Sequence, residues 1–134
     1  MREILFKAKR KDNGKWFEGY YQKKYDFLGN EEHRIFHADS YRVWEYAEID
    51  PETICQFTGL CDKNGNKIWE NDIIQYGAVA AVVKFGEYGN GNLGFYVDFP
   101  EGTNYRKDFS YWAKKVVVIG NAVDDRSLLQ EVPE

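Results

Sequence analysis

Apolar and polar residues alternate along much of this chain, in short runs separated by glycine, asparagine and proline. Successive side chains of a strand point to opposite faces of a sheet, so the alternation is typical of strands with one buried face. Every odd position of residues 93–99 is apolar, whereas residues 79–85 are apolar on both faces until Lys84, as expected of a central strand. The pattern predicts strands at residues 3–10, 16–21, 34–36, 41–49, 54–58, 67–69, 73–76, 79–85, 93–99 and 116–121.

Asn-Gly pairs mark two of the predicted turns. Asn13-Gly14 follows the first strand, and Asn64-Gly65 precedes the strand at residues 67–69. We predict hairpins at both, because Asn and Gly tolerate the positive φ angles of a type I′ turn. Residues 23–39 are polar and predict a loop around the short strand. Helical periodicity is nearly absent, and we predict only a short closing helix, capped by Asp124 or Asp125.

The composition also favours β structure. The chain has ten Val and eight Ile against six Leu and one Met, together with 4 Trp, 10 Tyr and 9 Phe. β-branched and aromatic side chains suit a pleated, half-buried surface. A length of 134 residues predicts one unit, with an N-terminal β subregion at about 1–50, a barrel-like subregion at about 51–125 and a closing helix or tail at 124–134. The short strands and tight turns predict a small barrel or sandwich.

Charge and hydropathy narrow the class of protein. A formal net charge of −4 and an isoelectric point of about 5.3 disfavour indiscriminate binding to nucleic-acid phosphates, which requires a basic field. The longest apolar run is far shorter than the ~20 residues that span a bilayer, and the N-terminus lacks the apolar core of a signal peptide. The two cysteines, Cys55 and Cys61, are a sparse count typical of reduced thiols. We therefore expect a cytoplasmic protein.

Two glycine-containing motifs resemble ligand-binding loops. Residues 89–94, GNGNLG, match the dinucleotide pattern G-x-G-x-x-G, but a predicted strand follows where that site requires a helix. The run from Asp62 resembles a calcium loop, but Lys67 and Ile73 occupy the positions that need Gly and a bidentate Glu. We interpret both as hairpin turns.

No metal, cofactor or catalytic residue is predicted. His33 and His37 have the spacing H-x₃-H without two further zinc ligands nearby, and we interpret them as solvated loop residues. A carboxylate site formed by Asp62, Glu70 and Asp72 is the one enzymatic alternative, because acid–base pairs meet in space rather than in sequence. We expect the protein not to be an enzyme.

The surplus of aromatic residues is the feature most suggestive of a binding site. Several aromatics lie on strand faces opposite their apolar neighbours, so they cannot all be in the core. Aromatic surface on a small β protein can bind a protein, stack nucleobases or form an oligomer interface, although ordinary core and rim packing is the simpler interpretation. The candidate partner-binding residues are Tyr20, Trp44, Tyr46, Trp69 and Trp112.

Several segments together resemble the YopX family of phage and prophage proteins. The residues that carry the resemblance are DPET at 50–53, QFTGLCDKNGNKIWENDII at 56–74, VVKF at 82–85, VIGN at 118–121 and ILFKAKRKDNGKWFEGY near the N-terminus. Asn71 stands where the family usually has Gly, so we expect a left-handed Asn at that bend. The resemblance implies a YopX-like, mainly β fold of short antiparallel strands with an SH3-like small-barrel element in the C-terminal half, in a bacterial host. It supplies no activity and no site residues.

Two functions are compatible with these features. The first is a non-enzymatic phage accessory protein that self-associates or binds a phage or host protein. The alternative is a nucleic-acid-binding module that uses the aromatics and nearby basic residues. This alternative rests on analogy with other small barrels. The basic residues concerned are Lys7, Lys9, Arg10, Lys11, Lys114 and Lys115.

Overall fold

The fold is seen in a computed structural model that describes residues 4–38 and 41–129. The chain divides into two compact units, Met1–Phe57 (unit 1) and Thr58–Glu134 (unit 2). The boundary predicted from the sequence between the N-terminal and the barrel-like subregion was at about residue 50. The strand pairs are antiparallel, and the one α-helix of the described residues has four residues. The prediction of a mainly β fold is therefore confirmed.

The described residues form ten strands, each at a predicted position. They are β1 (Phe6–Lys9), β2 (Trp16–Tyr25), β3 (Glu31–Ala38), β4 (Trp44–Glu48), β5 (Cys55–Cys61), β6 (Lys67–Trp69), β7 (Asp72–Tyr76), β8 (Val79–Tyr88), β9 (Asn92–Asp98) and β10 (Val117–Asn121). The GNGNLG motif contains the turn between β8 and β9 and continues into β9, so it leads into a strand, as predicted. Glu3 of the first predicted strand and Asp39 of the predicted loop lie outside the described residues.

The largest departure from the predicted strands is a long hairpin formed by β2 and β3, where a loop was expected. Its polar residues pair across the two strands, with Lys23 Nζ 3.1 Å from Glu31 Oε1 and Lys24 Nζ 3.9 Å from Glu32 Oε2. Lys24 and Glu32 are directly opposite and Lys23 and Glu31 are diagonal neighbours, and such pairs of opposite charge support a sheet without apolar alternation. The alternation rule therefore missed this part of both strands.

Unit 1 contains a curved sheet in the order β4-β3-β2-β1, with the first residues of β5 beside β1. One face forms the core; its buried residues are Ala8, Phe17, Ile35, Ala47 and Ile49. The ends of β1 and β4 meet, because Arg10 bridges to Ile49 and the Asp50 N–H donates to Lys9 O at 2.9 Å. The sheet thus curls around its core, and its opposite face remains available to solvent.

Gly19 allows β2 to leave β1 and pair with β3. A Cβ at this position would lie 2.1 Å from Phe36 O, a separation that no side chain tolerates. Glycine within a strand often marks such a close approach of two backbones.

Unit 2 contains a sheet in the order β10-β7-β8-β9, and the second part of β5 pairs with β6. The helix α1 (Phe109–Trp112) and a 3-10 turn at Ala113–Lys115 cover one side of the core. The buried residues of this core include Ile68, Ile74, Val83, Val97, Phe109, Trp112 and Val116. No closed barrel is found in the described residues, so the SH3-like element implied by the resemblance is not confirmed.

The predicted closing helix is a 3-10 helix at Arg126–Leu129. Asp125 Oδ2 accepts a hydrogen bond from Asn121 N–H at 3.1 Å, so this carboxylate is engaged with the end of β10. The segment has only four residues in this conformation, and residues 130–134 of the predicted tail lie outside the described part of the chain.

Candidate partner-binding surface of unit 1

Two turns of the chain share the sequence Asp-x-x-Gly-Asn and the same hydrogen bonds. Residues 26–30 join β2 to β3, and residues 62–66 join β5 to β6. In each turn the Asp Oδ1 accepts from the N–H groups two and four residues further along the chain, all at 2.9 Å. The Asp side chain therefore holds the turn together, as Asp does in Asx turns.

In these two turns and in the turn at Asn13-Gly14, the residues with a left-handed backbone conformation are glycines. Gly14, Gly29 and Gly65 have φ angles of 70°, 86° and 84°, whereas Asn13 and Asn64 do not have positive φ. A type I′ turn requires positive φ at both central residues, so the predicted turn type is wrong although both hairpins form. The loops are longer than two residues, and a single left-handed glycine closes each of them.

Asp62 is buried and has one more hydrogen bond than its counterpart Asp26. Its Oδ2 accepts from Val118 N–H at 2.9 Å. Burial raises the pKa of Asp62, but the N–H donors of Val118, Asn66 and Asn64 outweigh burial and hold the pKa below its ordinary value. The pKa of the exposed Asp26 is also lowered, chiefly by the Asn30 N–H. The carboxylate of Asp62 is thus a structural acceptor.

Asp72, the second carboxylate of the enzymatic alternative, is also a structural hydrogen-bond acceptor. It is buried, and its Oδ2 accepts from Trp69 N–H at 2.8 Å. The bend before it contains Asn71 with φ of 70°, the left-handed Asn expected from the sequence. Within residues 4–38 and 41–129, no group of three or more His, Cys, Asp or Glu residues is placed to hold a metal ion.

The two turns differ in the residues at their tips. Phe27 and Leu28 are 96% and 73% exposed, and the equivalent positions of the second turn hold Lys63 and Asn64. Sequence analysis missed this apolar tip, because it treated residues 23–39 as a loop. Alignment of DFLGN with DKNGN would have revealed it.

Three of the five predicted aromatic residues lie together on unit 1. Tyr20, Phe36 and Tyr46 are directly opposite one another on β2, β3 and β4, and Trp44 faces Ala38 two residues along. Tyr20, Trp44 and Tyr46 are 49%, 59% and 52% exposed. Strand register places them on the face opposite the core, which we call the outer face. The outer face comprises Lys7, Lys9, Trp16, Glu18, Tyr20, Gln22, Lys24, Glu32, Arg34, Phe36, Ala38, Trp44, Tyr46 and Glu48.

The aromatic rings of the outer face contact one another. The ring centroids of Tyr20 and Trp44 are 6.2 Å apart, and those of Phe36 and Tyr46 are 5.4 Å apart. These separations lie in the range of favourable aromatic pairs. The rings therefore form a continuous surface.

Cations also lie on the outer face, over its rings. The guanidinium of Arg34 is 4.6 Å from the centroid of Tyr46, and Lys7 Nζ is 4.7 Å from that of Trp16. Arg34 also donates from Nη2 to Glu32 at 2.7 Å, while its buried Nε has no hydrogen-bond partner among the described residues. Both signs of charge are present, because the face carries three glutamates beside three lysines and one arginine.

The other two predicted aromatics are in the core of unit 2. Trp69 and Trp112 are buried, so the prediction that they contact a partner is wrong. Trp112 lies on α1, where it packs against Tyr76 and Phe99, and its indole N–H donates to Arg106 O at 2.7 Å. A buried indole usually has such a hydrogen-bond partner.

The histidines are not solvated loop residues, because β3 extends over both of them. His33 stacks on Tyr21 and hydrogen-bonds to its hydroxyl. His37 stacks on Phe17 with a centroid separation of 4.2 Å and is 2.6 Å from Glu45 Oε1. Both imidazoles thus pack at the margin of the unit 1 core.

The two cysteines are not joined in a disulfide. Cys55 is buried in β5, whereas Cys61 is exposed at the end of the same strand. None of the helices in the described part of the chain has the length and apolar character needed to cross a membrane.

These features define a class: an all-β protein of two units, one of which exposes a continuous aromatic sheet face. A family model described as YopX protein matches residues 5–130, nearly the whole chain. The chain therefore belongs to the YopX family. No curated protein is significantly similar to it.

Proposed function

We propose that this chain is a non-enzymatic accessory protein of a phage or prophage that self-associates through the outer face of unit 1, in the cytoplasm of the bacterial host. The observation that carries the proposal is the half exposure of Tyr20, Trp44 and Tyr46 on a single sheet face. A contiguous exposed aromatic patch is a common mark of a protein interface.

The charges of the outer face favour a second copy of the chain as the partner. A two-fold interface uses the same patch on both subunits, so the patch must complement itself. Glu18 and Glu48 on one copy can face Lys7 and Arg34 on the other, because both signs are present on one surface. A uniformly charged face would repel its own copy.

The exposed aromatic area sets the expected strength of association. An aromatic side chain has roughly 150–250 Å² of surface, so three half-exposed rings supply about 300 Å². A stable interface buries about 800 Å² per partner, which means that polar neighbours must contribute the rest. We therefore expect weak association, with a dissociation constant in the micromolar range rather than the nanomolar range.

Nucleic acid is the less favoured partner for this face. Phosphate binding requires an excess of positive charge, whereas the outer face has nearly balanced charges and the chain has a net charge of −4. A separate phage or host protein is the other alternative, and the experiment below distinguishes it from self-association.

Size-exclusion chromatography with light scattering, from about 5 to 500 μM protein, tests the proposal. We expect the mean mass of the wild type to rise toward that of a dimer, and the Tyr20→Thr/Trp44→Thr variant to remain a monomer. Threonine keeps a good strand propensity, so the sheet is retained. A matched control is Phe85→Thr/Leu93→Thr, which removes two exposed apolar side chains from unit 2. The control variant should associate like the wild type.

Two results would contradict self-association through this face. One is a wild type that remains monomeric at all concentrations, which would leave a separate protein as the candidate partner. The other is equal association of the outer-face variant and the wild type. Circular dichroism of each variant verifies that a loss of association is not a loss of fold.

A further inference from the structure

Unit 2 has a pocket of about 340 Å³ beside the turn between β7 and β8. The pocket is lined by Lys63, Gln75, Tyr76, Gly77, Lys115 and Val117. Lys63 comes from the tip of the second Asp-x-x-Gly-Asn turn, and Lys115 from the 3-10 turn after α1. Two distant segments thus bring two lysines to the lining of one concavity.

The charge of this pocket is not neutralised by a lining carboxylate. Three other pockets of the described chain that contain basic residues also contain Asp12, Asp98 or Asp108. Each of those carboxylates forms an ion pair with a basic residue, at 2.8 to 3.0 Å. By contrast, neither Lys63 nor Lys115 has an acidic side chain within 4.0 Å among the residues that the structure describes.

The nearest carboxylate in sequence, Asp62, does not offset this charge efficiently. It is buried, and its oxygens already accept hydrogen bonds from backbone N–H groups, including that of Val118 at 2.9 Å. An anion that enters the pocket therefore meets two cations and no exposed carboxylate.

An exposed aromatic ring forms the wall of the same pocket. Tyr76 packs edge-on against Trp112 and Tyr105, with centroids 4.8 and 6.3 Å apart, and these contacts hold its ring in place. Tyr111 lies next in the cluster, and Lys115 Nζ is 4.9 Å from its centroid. A ring held by its neighbours is a stacking platform that loses little entropy when a ligand binds.

We propose that this pocket binds a nucleotide unit, with a phosphate between Lys63 and Lys115 and the base stacked on Tyr76. Stacking requires an unpaired base, so the ligand class is a free nucleotide or single-stranded nucleic acid, and not duplex DNA. The site is separate from the outer face of unit 1. Its existence does not depend on self-association.

Fluorescence anisotropy with a labelled ten-nucleotide oligo-dT tests the proposal, with unlabelled AMP and inorganic phosphate as competitors. Two phosphate contacts predict a salt slope of about −1.4 in log K against log salt, or about sevenfold weaker binding at 200 mM than at 50 mM salt. Tyr76→Leu keeps apolar packing and removes the stacking ring, so we expect about tenfold weaker binding. Competition by AMP identifies a mononucleotide site, whereas binding of the oligonucleotide alone identifies a site for the polymer, and both support the proposal.

The variant Lys63→Gln/Lys115→Gln should lose the binding and its salt dependence. Lys15→Gln/Lys107→Gln is the matched control, because it removes the same two charges at residues outside the pocket. Equal binding by these two variants would overturn the proposal. So would absence of binding to every probe, equal affinity for duplex DNA, or binding of phosphate with no gain from a base. These lysines are exposed, and thermal melts of the variants verify that the fold is intact.

Discussion

The paired Asp-x-x-Gly-Asn turns allow one buried hydrogen bond to be measured against a reference in the same chain. Asp62→Asn and Asp26→Asn make the same chemical change in the same turn geometry. In both variants the remaining carbonyl oxygen can still accept the two N–H groups of the turn. In both variants the new NH₂ group faces the side-chain amide of the Asn that ends the turn, but only in Asp62→Asn does it also face a backbone donor, the N–H of Val118, which donates to Oδ2 at 2.9 Å in the wild type.

The expected change in the free energy of unfolding of Asp62→Asn follows from the lost hydrogen bond to Val118. A hydrogen bond to a charged group contributes about 1.5–3 kcal/mol, and the Val118 donor is left without its acceptor. We therefore expect Asp62→Asn to lower the free energy of unfolding by about 2–4 kcal/mol. Asp26→Asn loses the charge of a solvent-facing carboxylate 3.2 Å from Asn30 Nδ2, so we expect a clearly smaller loss of stability than in Asp62→Asn.

Urea unfolding followed by tryptophan fluorescence, together with calorimetry, measures both variants at pH 7. For 134 residues each kcal/mol corresponds to about 3–4 °C in Tm, so Asp62→Asn should melt about 6–16 °C below the wild type. The urea m value should not change, because the surface exposed on unfolding is the same. Equal losses in the two variants would refute the reasoning, since the bond to Val118 would then contribute nothing.

The pH dependence provides a second check on the same residue. The pKa of Asp62 is lowered in the folded state, so its stabilisation is present above the unfolded pKa of about 3.9 and is lost as pH falls through the folded value. The stability difference between the wild type and Asp62→Asn should therefore shrink below about pH 4. A difference that stays constant from pH 7 to pH 2 would contradict the lowered pKa.

Substitutions at three further sites test other parts of the fold. Gly19→Ala should destabilise the chain by about 3 kcal/mol in urea unfolding, because its Cβ meets the backbone oxygen of Phe36, and a loss below about 1 kcal/mol would contradict that close approach. Phe27→Lys/Leu28→Asn should change stability by less than about 0.5 kcal/mol and shorten retention in hydrophobic interaction chromatography; unchanged retention would contradict an exposed tip. Asn71→Ala should cost about 1–2 kcal/mol more than Asn71→Gly in thermal melts, because the position is left-handed, and equal losses would contradict that geometry.

The strands could be predicted because they depend on a local pattern. Each run with a period of two formed a strand, and even the three-residue β6 (Lys67–Trp69) has its predicted bounds. The pattern failed at the β2–β3 hairpin, where cross-strand ion pairs such as Lys24–Glu32 replace apolar alternation. Turn type failed as well, because it depends on loop length, which two residues of sequence do not determine.

The candidate surface was only partly predictable, because burial depends on what packs over a strand or helix. Tyr20 and Tyr46 lie on either side of Phe36 on the outer face through the register of three strands, which alternation alone does not specify. Trp112 has the same side chain chemistry as the exposed Trp44 but lies on a short helix over the unit 2 core. The local pattern of apolar and polar residues does not show which of these two tryptophans is buried.

The shared skeleton of the two turns separates the residues that specify shape from those that specify contacts. Asp, Gly and Asn fix the backbone path in both, while the two central positions hold Phe27-Leu28 in one and Lys63-Asn64 in the other. Those two positions can therefore be exchanged or diversified at little cost to folding. New recognition sequences can therefore be selected at the tip of each hairpin. One chain has two such tips, one apolar and one polar.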